Sequence, residues 1–257
     1  MKPGKPRKTL RQDRILVALE ENPSLRVNQL ADALRVSTET IRRDLDELDR
    51  AGRLSRTYGG AVIAPNRFEP LLHDRLLLKV GERQAIARAA LELVRNQEVL
   101  LLGGGATMLH FAKALKETSR RITVITPAYS IALELSTNPR IETVLPAGTF
   151  DAQEHIVMGP ETIRAIERYH VPVSIIGASG INHEGVSEAM LGPGDVYSAM
   201  LQGTEQVFIL ADHSKFDKRA LVLLTPWRRG MTLVTDSPPP QPLASAIRDT
   251  GAEIILA

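Results

Sequence analysis

The sequence predicts an α/β protein built in two parts, a small basic helical unit followed by a larger domain of alternating strands and helices. Three observations carry this. Short amphipathic segments ending in a cationic one fill the first 63 residues, an aperiodic segment with two prolines follows, and from there apolar runs of strand length alternate with segments of helix length. The chain has 257 residues, 43% of them hydrophobic, which suffices for two ordinary cores. Cysteine is absent, so disulfides and zinc-thiolate fingers are excluded and a reducing compartment is compatible. The N-terminus, Met1-Lys2-Pro3-Gly4-Lys5-Pro6-Arg7-Lys8, has charge but no apolar signal core. No run of roughly 18 apolar residues follows, so a cytoplasmic protein without a membrane span is expected. Net charge is +2, yet residues 1–63 carry 13 Lys/Arg against 9 Asp/Glu and the remainder 19 against 21, which places the polyanion-binding end at the N-terminus.

Within that basic end, Leu10, Ile15, Leu16 and Leu19 give one apolar helix face, and Asn22-Pro23 ends the helix. Val27, Leu30, Ala31 and Leu34 repeat the pattern, and Arg35-Val36 makes a tight connection to Ser37, a residue suited to N-cap the next helix. In that helix Ile41, Leu45 and Leu48 fall at i, i+4 and i+7 and face the core, which leaves Glu39, Thr40, Arg42 and Arg43 off the stripe. Arginine forks take guanine edges or phosphate, and Ser37, Thr38 and Thr40 at a helix N-terminus suit phosphate and base edges. A merely solvated helix face would show the same residues singly; the three-segment pattern favours a helix-turn-helix reading double-stranded DNA. Past Gly52, residues 53–62 alternate around a glycine turn, the sequence of a wing, with Arg56, and Arg53 or Tyr58, directed at backbone or minor groove. The winged helix-turn-helix is thus read as residues 8–63, with a linker at 64–70 and the second domain at 71–257.

In the second domain the apolar runs lie at 99–102, 123–126, 143–145, 173–177, 207–211, 221–224, 233–235 and 254–256, with helices expected at 107–115, 130–135, 160–168 and 243–250 and another from about Leu71, broken near Gly81. This alternation predicts a largely parallel sheet, whose ligands collect at strand carboxyl ends. The first such loop, Gly103-Gly104-Gly105-Ala106-Thr107, combines close backbone approach with a helix N-terminus and favours an anion, although it has neither the Lys-Ser/Thr of a Walker loop nor a dinucleotide fingerprint. A second candidate is Ala211-Asp212-His213-Ser214-Lys215-Phe216, where Lys215 can pair with phosphate or carboxylate and Asp212 with hydroxyls; a plain surface turn is the competing reading.

Two stretches bring a family into view. Ser37-Thr38-Glu39-Thr40-Ile41-Arg42-Arg43-Asp44-Leu45 and Gly52-Arg53-Leu54-Ser55-Arg56-Thr57-Tyr58-Gly59-Gly60-Ala61 resemble the DeoR family of bacterial transcriptional regulators. The resemblance covers nearly the whole chain, closely to residue 63 and more loosely beyond. It implies an N-terminal domain that binds operator DNA and a C-terminal sensor and oligomerisation domain whose fold resembles sugar-phosphate isomerases. It further implies a sugar phosphate or related metabolite as effector, repression of a carbohydrate-metabolism operon, a homodimer or homotetramer, and no cofactor. The glycine loop resembles the family's Asp-x-Gly-Thr-Thr phosphate loop and residues 211–216 its Ala-Asp-x-Ser-Lys-Phe motif, so Gly103, Gly104, Gly105, Ala106, Thr107, Gly148, Asp212 and Lys215 are the expected effector contacts. Departures are Gly103 for Asp, Ala106 for Thr, Pro127 for Asn, Ala147 in a Gly-Gly pair and Tyr197 for Lys, which alter how hydroxyls and phosphate are held. The competing reading is a sugar-phosphate isomerase-like enzyme using Glu154, Glu184 or Glu188 with His155, His183 or His213, residues that no motif ties together. A third reading is an architectural DNA binder without a ligand, which stabilisation by any metabolite excludes.

Overall fold

The computed structural model describes residues 8, 11, 12, 14, 15, 18, 19, 25–50, 55–57, 60–62 and 69–257, with backbone only for 49, 50, 55–57 and 60–62. Arg53 and Tyr58 of the expected wing, and residues 64–68 of the expected linker, lie outside these. The chain divides into two compact units, Met1–Phe68 and Glu69–Ala257.

In the first unit the described residues between 8 and 19 are helical (α1), followed by α2 (Val27–Leu34) and α3 (Thr38–Arg50). Ile15 and Leu19 of α1, Val27, Leu30 and Ala31 of α2, and Ile41, Leu45 and Leu48 of α3 form one buried core, so the stripe read from the sequence is the packed face. The turn between α2 and α3 is tight because Arg35 adopts φ 52°, which costs a non-glycine residue about 1 kcal/mol. A compensating bond runs from the Val36 N–H to the Ala31 carbonyl (3.1 Å). Ser37 caps α3, its Oγ accepting from the Thr40 N–H at 3.2 Å. Beyond α3, β1 (Ser55–Thr57) and β2 (Gly60–Val62) pair antiparallel as the hairpin expected of a wing.

One contact in this unit is polar and was not read from the sequence. Asp44, 2% exposed on α3, accepts from Arg11 of α1 at both oxygens, Nε at 2.5 Å and Nη2 at 3.1 Å. One turn further on, Glu47 accepts from Gln12 (2.9 Å) and Lys8 (2.7 Å), so a whole row of α3 is clamped to α1. That clamp sets the rotation of α3 about its axis.

The second unit is a three-layer α/β sandwich around seven parallel strands in the order β14-β13-β11-β8-β3-β4-β5. These are β3 (Val99–Leu102), β4 (Ile122–Ile125), β5 (Ile141–Val144), β8 (Val173–Ile176), β11 (Gln206–Leu210), β13 (Met231–Thr235) and β14 (Glu253–Leu256). They match seven of the eight apolar runs, and β8 is buried at all four residues, as a strand covered on both faces must be. Before β3 come α4 (Leu72–Arg75) and α5 (Val80–Leu93); the expected break falls at Leu76–Lys79, with Lys79 at φ 52°. On one face α5, α6 (Ala106–Leu115) and α7 (Tyr129–Leu135) pack through Ile86, Phe111 and Ile131. On the other, α8 (Pro160–Glu167), α9 (Leu191–Gln202) and α10 (Gln241–Asp249) pack through Ile166, Met200 and Ile247.

The eighth run is a correction. As β12 (Val222–Thr225) it leaves the main sheet and pairs antiparallel with β10 (Gly185–Glu188), which pairs in turn with β9 (Gly180–Asn182). Leu221 and Leu223 are 42% and 51% exposed, as expected of a strand with one wet face. A further hairpin, β6 (Thr149–Asp151) with β7 (Ile156–Met158), has strands too short to register as an alternating pattern. None of the described helices is long and apolar enough to cross a membrane.

If the Arg11–Asp44 clamp orients α3, Asp44→Ala leaves a half-buried guanidinium unpaired and should destabilise the first unit by about 2–4 kcal/mol. Thermal unfolding of the full chain reads this as loss of the N-terminal transition; a variant indistinguishable from wild type shows the clamp to be inert.

Candidate functional site: a cationic helix face and a polar crevice

The clamp and the apolar stripe consume two sides of α3, and the remaining side carries the candidate DNA contacts. Arg42 and Arg43 are exposed, as is Ser37, with Thr38 and Thr40 half-buried at the helix start. Arg43 lies 3.4 Å from Glu39 in an i,i+4 pair whose side chains are 77% and 62% exposed, a contact weak enough to yield to a phosphate. No ion-pair partner for Arg42 is found among the described residues. Arg56 belongs to β1 of the hairpin. The helix N-terminus, three hydroxyls and two guanidinium groups therefore share one solvent-facing surface, the arrangement a major-groove helix requires.

The second unit carries its site where the strand order reverses. From β3 the chain proceeds outward through β4 and β5, whereas β8, on the other side of β3, starts the progression to β11, β13 and β14. The connections leave β3 and β8 in opposite directions, so a crevice opens at their carboxyl ends. The glycine loop after β3 and Gly177, Ala178 and Ser179 after β8 line it, and Lys215 enters from the turn after β11.

Each wall has a local cause. Gly105 N-caps α6 at φ 101°, a conformation that L side chains rarely adopt, and turns the amides of the first helical turn toward the crevice. Tyr197 on α9 fills the floor beneath the loop: its hydroxyl accepts from the Gly104 N–H at 3.1 Å. A Cβ on Gly103 would lie 3.3 Å from its ring, so loop and phenol are fitted to each other. Burial pushes the Tyr197 phenol further up, which keeps it a neutral hydroxyl. Lys215 projects from a 3₁₀ turn, His213–Lys215, capped by Asp212, which accepts from the Ser214 N–H at 3.0 Å. Asp236 at the end of β13 anchors the same turn, accepting from the His213 N–H (2.8 Å) and contacting Nδ1 (2.5 Å). Burial pushes the Lys215 ammonium down to about 8, and Lys218 adds to the effect.

The cations of the crevice are paired. Arg75 of α4 donates to Glu69 at 2.7 Å and to Glu154, and Arg83 of α5 donates to the Leu78 carbonyl at 2.9 Å with Asp212 3.5 Å from its Nε. Burial pushes Glu154 and Glu188 up, although the Ala189 N–H, 2.7 Å away, and the Met190 N–H both donate to Glu188. Carboxylates beside cations and helix-start amides can hold a ligand with several hydroxyls and one anionic group.

Of the expected effector residues, Gly104, Gly105, Ala106, Thr107 and Lys215 line the crevice. Gly103, Gly148 and Asp212 are not among its lining residues. Gly103 packs behind the loop against Ile176 and Tyr197, and Asp212, 0% exposed, serves Ser214 and Arg83 from beneath. Gly148 packs against Thr162, whose Oγ1 a Cβ would meet at 2.0 Å. Glu69, Arg75 and Arg83 escaped sequence reading because they sit in a segment read as linker and on helices with no motif, and only the fold brings them to the loop. The acid and base candidates of the enzyme reading disperse. Glu154 and Glu188 reach the crevice, but Glu184 lies 3.5 Å from Arg219 on the surface, His155 and His183 are exposed, and His213 is tied to Asp236.

Comparison with known proteins agrees with this division. The family described as the DeoR-like helix-turn-helix domain matches residues 11–67, and the DeoR C terminal sensor domain matches residues 78–237. The HTH-type transcriptional repressor CsqR of Escherichia coli (strain K12) is 28% identical over 247 residues, covering 96% of this chain and 94% of its own. The uncharacterized HTH-type transcriptional regulator YulB of Bacillus subtilis (strain 168) is 31% identical over 229 residues, 88% of each. The glycerol-3-phosphate regulon repressor of E. coli (strain K12) is 26% identical over 244 residues, 95% of this chain and 96% of its own. Among solved structures, ribose 5 phosphate isomerase A from Neisseria gonorrhoeae superposes over 53% of each chain with a TM-score of 0.38 and 21% identity. The chain, with its exposed arginine helix and its sensor domain, belongs to the DeoR family and is a DNA-binding transcriptional regulator.

Proposed function

We propose that the chain is a cytoplasmic repressor of a carbohydrate-metabolism operon, released from or retained on its operator by a phosphorylated sugar or related anionic metabolite. The observation that carries this reading is the crevice at the β3/β8 reversal, polar, cation-bearing and lined by helix-start amides, in a chain that also exposes Arg42 and Arg43 on a rotationally fixed helix. Ser37, Thr38, Thr40, Arg42 and Arg43 contact operator DNA in the major groove, with Arg53, Arg56 and Tyr58 of the wing on the backbone or minor groove. Gly104, Gly105, Ala106, Thr107 and Lys215 hold the effector's anionic group, and Glu154 and Glu188 accept from its hydroxyls. Residues 8–63 are the DNA-binding domain and the second unit the sensing and oligomerisation domain. Repression and carbohydrate control are favoured by relatives named for a glycerol-3-phosphate regulon and an aga operon, while one named as an L-fucose operon activator shows that relatives can carry the opposite sign. A homodimer or homotetramer follows from the small reach of one short helix, since two half-sites roughly 34 Å apart multiply its specificity.

Arg42→Ala and Arg43→Ala should each weaken operator binding by about 1–3 kcal/mol and relax base preference, whereas Arg56→Ala should weaken all sequences evenly and flatten the salt dependence. Anisotropy titrations on operator and random duplex separate these; equal losses on both duplexes for the two α3 arginines contradict base reading. Below about 8 Lys215 is charged, and it loses its proton as pH rises through that value. Retention of sulfate, whose own charge is constant over this range, should therefore fall between pH 7 and 9.5 and be lost in Lys215→Ala. An affinity level up to pH 9.5 contradicts the role given to Lys215.

A further inference from the structure

The crevice is nearly full. Its free volume is about 30 Å³, room for a water or two and far short of a sugar phosphate. Among the side chains lining it is a carboxylate held between two cations. The Glu69 carboxylate, 8% exposed, bridges two cations that come from distant parts of the chain: one oxygen accepts from Arg75 Nη1 at 2.7 Å and the other contacts Lys215 Nζ. The three groups all line the crevice with the Gly104–Thr107 loop.

The partners of these cations differ in kind. Arg75 keeps Glu154 if Glu69 leaves, and Arg83 keeps Asp212, whereas Lys215 has no other carboxylate among the described residues. Taking Glu69 away therefore exposes a ready anion position, one ammonium and one guanidinium edge beside helix-start amides. Glu69 lies in no helix or strand, and it is the first residue of the second unit, directly after the division at Phe68.

We infer that Glu69 is a built-in occupant of the effector's anion subsite: Arg75 and Lys215 hold it in the effector-free chain, and a phosphate or carboxylate binds there by driving it out. This rests on the reading of the crevice as the effector site. Because the displaced residue stands where the chain leaves for the DNA-binding unit, occupancy of the subsite is registered at the connecting segment itself. Competition with an internal carboxylate also lowers apparent affinity by the fraction of time the subsite is open, so occupancy by Glu69 for nine-tenths of the time weakens an incoming anion about tenfold.

The test uses the full chain and two probes, inorganic phosphate and acetate, titrated calorimetrically into wild type and Glu69→Gln at pH 7. The expected result is at least tenfold tighter binding of one probe to Glu69→Gln, lost again in Glu69→Gln with Lys215→Ala; whichever probe gains identifies the chemistry of the effector's group. A measurement on the wild type does not depend on how the variant folds. At saturating phosphate, hydrogen exchange should rise over residues 69–77 and fall over 104–109. Equal or weaker binding to Glu69→Gln, or exchange over 69–77 that falls along with the loop, overturns displacement while leaving the crevice an anion site. Absence of phosphate and acetate binding to every form overturns both.

Discussion

Everything in the sensor unit turns on the reversal of strand order between β3 and β8. Parallel strands align their carboxyl ends, and a reversal parts the connections above two neighbouring strands, so polar groups that would otherwise be covered by helices meet in one crevice. The residues there come from α4, α5, the loops after β3 and β8, the turn after β11, and α9, segments spread over most of the unit. A charge at such a place loses most of its hydration, at an effective penalty of several kcal/mol per ion, unless it is paired. The observed pairing is the response: Arg75 with Glu69 and Glu154, Arg83 with Asp212, Lys215 with Glu69. On the displacement inferred above, an anionic ligand enters by exchange, replacing one carboxylate with another anion at little net cost in burial. That is a more selective device than an open cationic cup, because a neutral sugar offers nothing in return for the charge it would unpair.

The first unit solves a different problem with the same economy of contacts. A short helix reads DNA only if its rotation is fixed, and α3 is fixed on two sides, by the apolar stripe Ile41, Leu45 and Leu48 and by the Asp44 and Glu47 row held by α1. What is left facing outward is Arg42, Arg43 and the capped helix start.

Much of this was legible in the sequence. Helical periodicity located α2 and the packed face of α3, and apolar runs located the seven sheet strands, because both signals are local and repeat along the chain. Loop chemistry singled out the glycine loop and the family resemblance singled out Lys215, and the fold places both at the crevice. What escaped was set by tertiary contact. Asp44 looks like any surface acid until Arg11 is beside it, and Glu69 sits among prolines that read as linker. The helix α9 opens Leu191-Gly192-Pro193-Gly194, a string that signals a turn, yet proline is tolerated in a first helical turn, and Gly194 gives the close approach to Val222 that a Cβ would meet at 3.1 Å. Gly148 was assigned to the ligand by resemblance alone; in the fold a Cβ there would meet Thr162, Met158 and Val157.

The central claim is that ligand occupancy of the crevice and DNA affinity are thermodynamically linked, which requires the ligand to favour one of the two DNA-binding states. It is tested most directly by measuring operator affinity of the full chain, by anisotropy, as a function of a sugar phosphate already shown to raise its melting temperature. The account predicts a change in operator affinity of about 5–150-fold at saturation, as expected for a coupling of 1–3 kcal/mol. A stabilising metabolite that saturates the crevice and leaves operator affinity unchanged would contradict it.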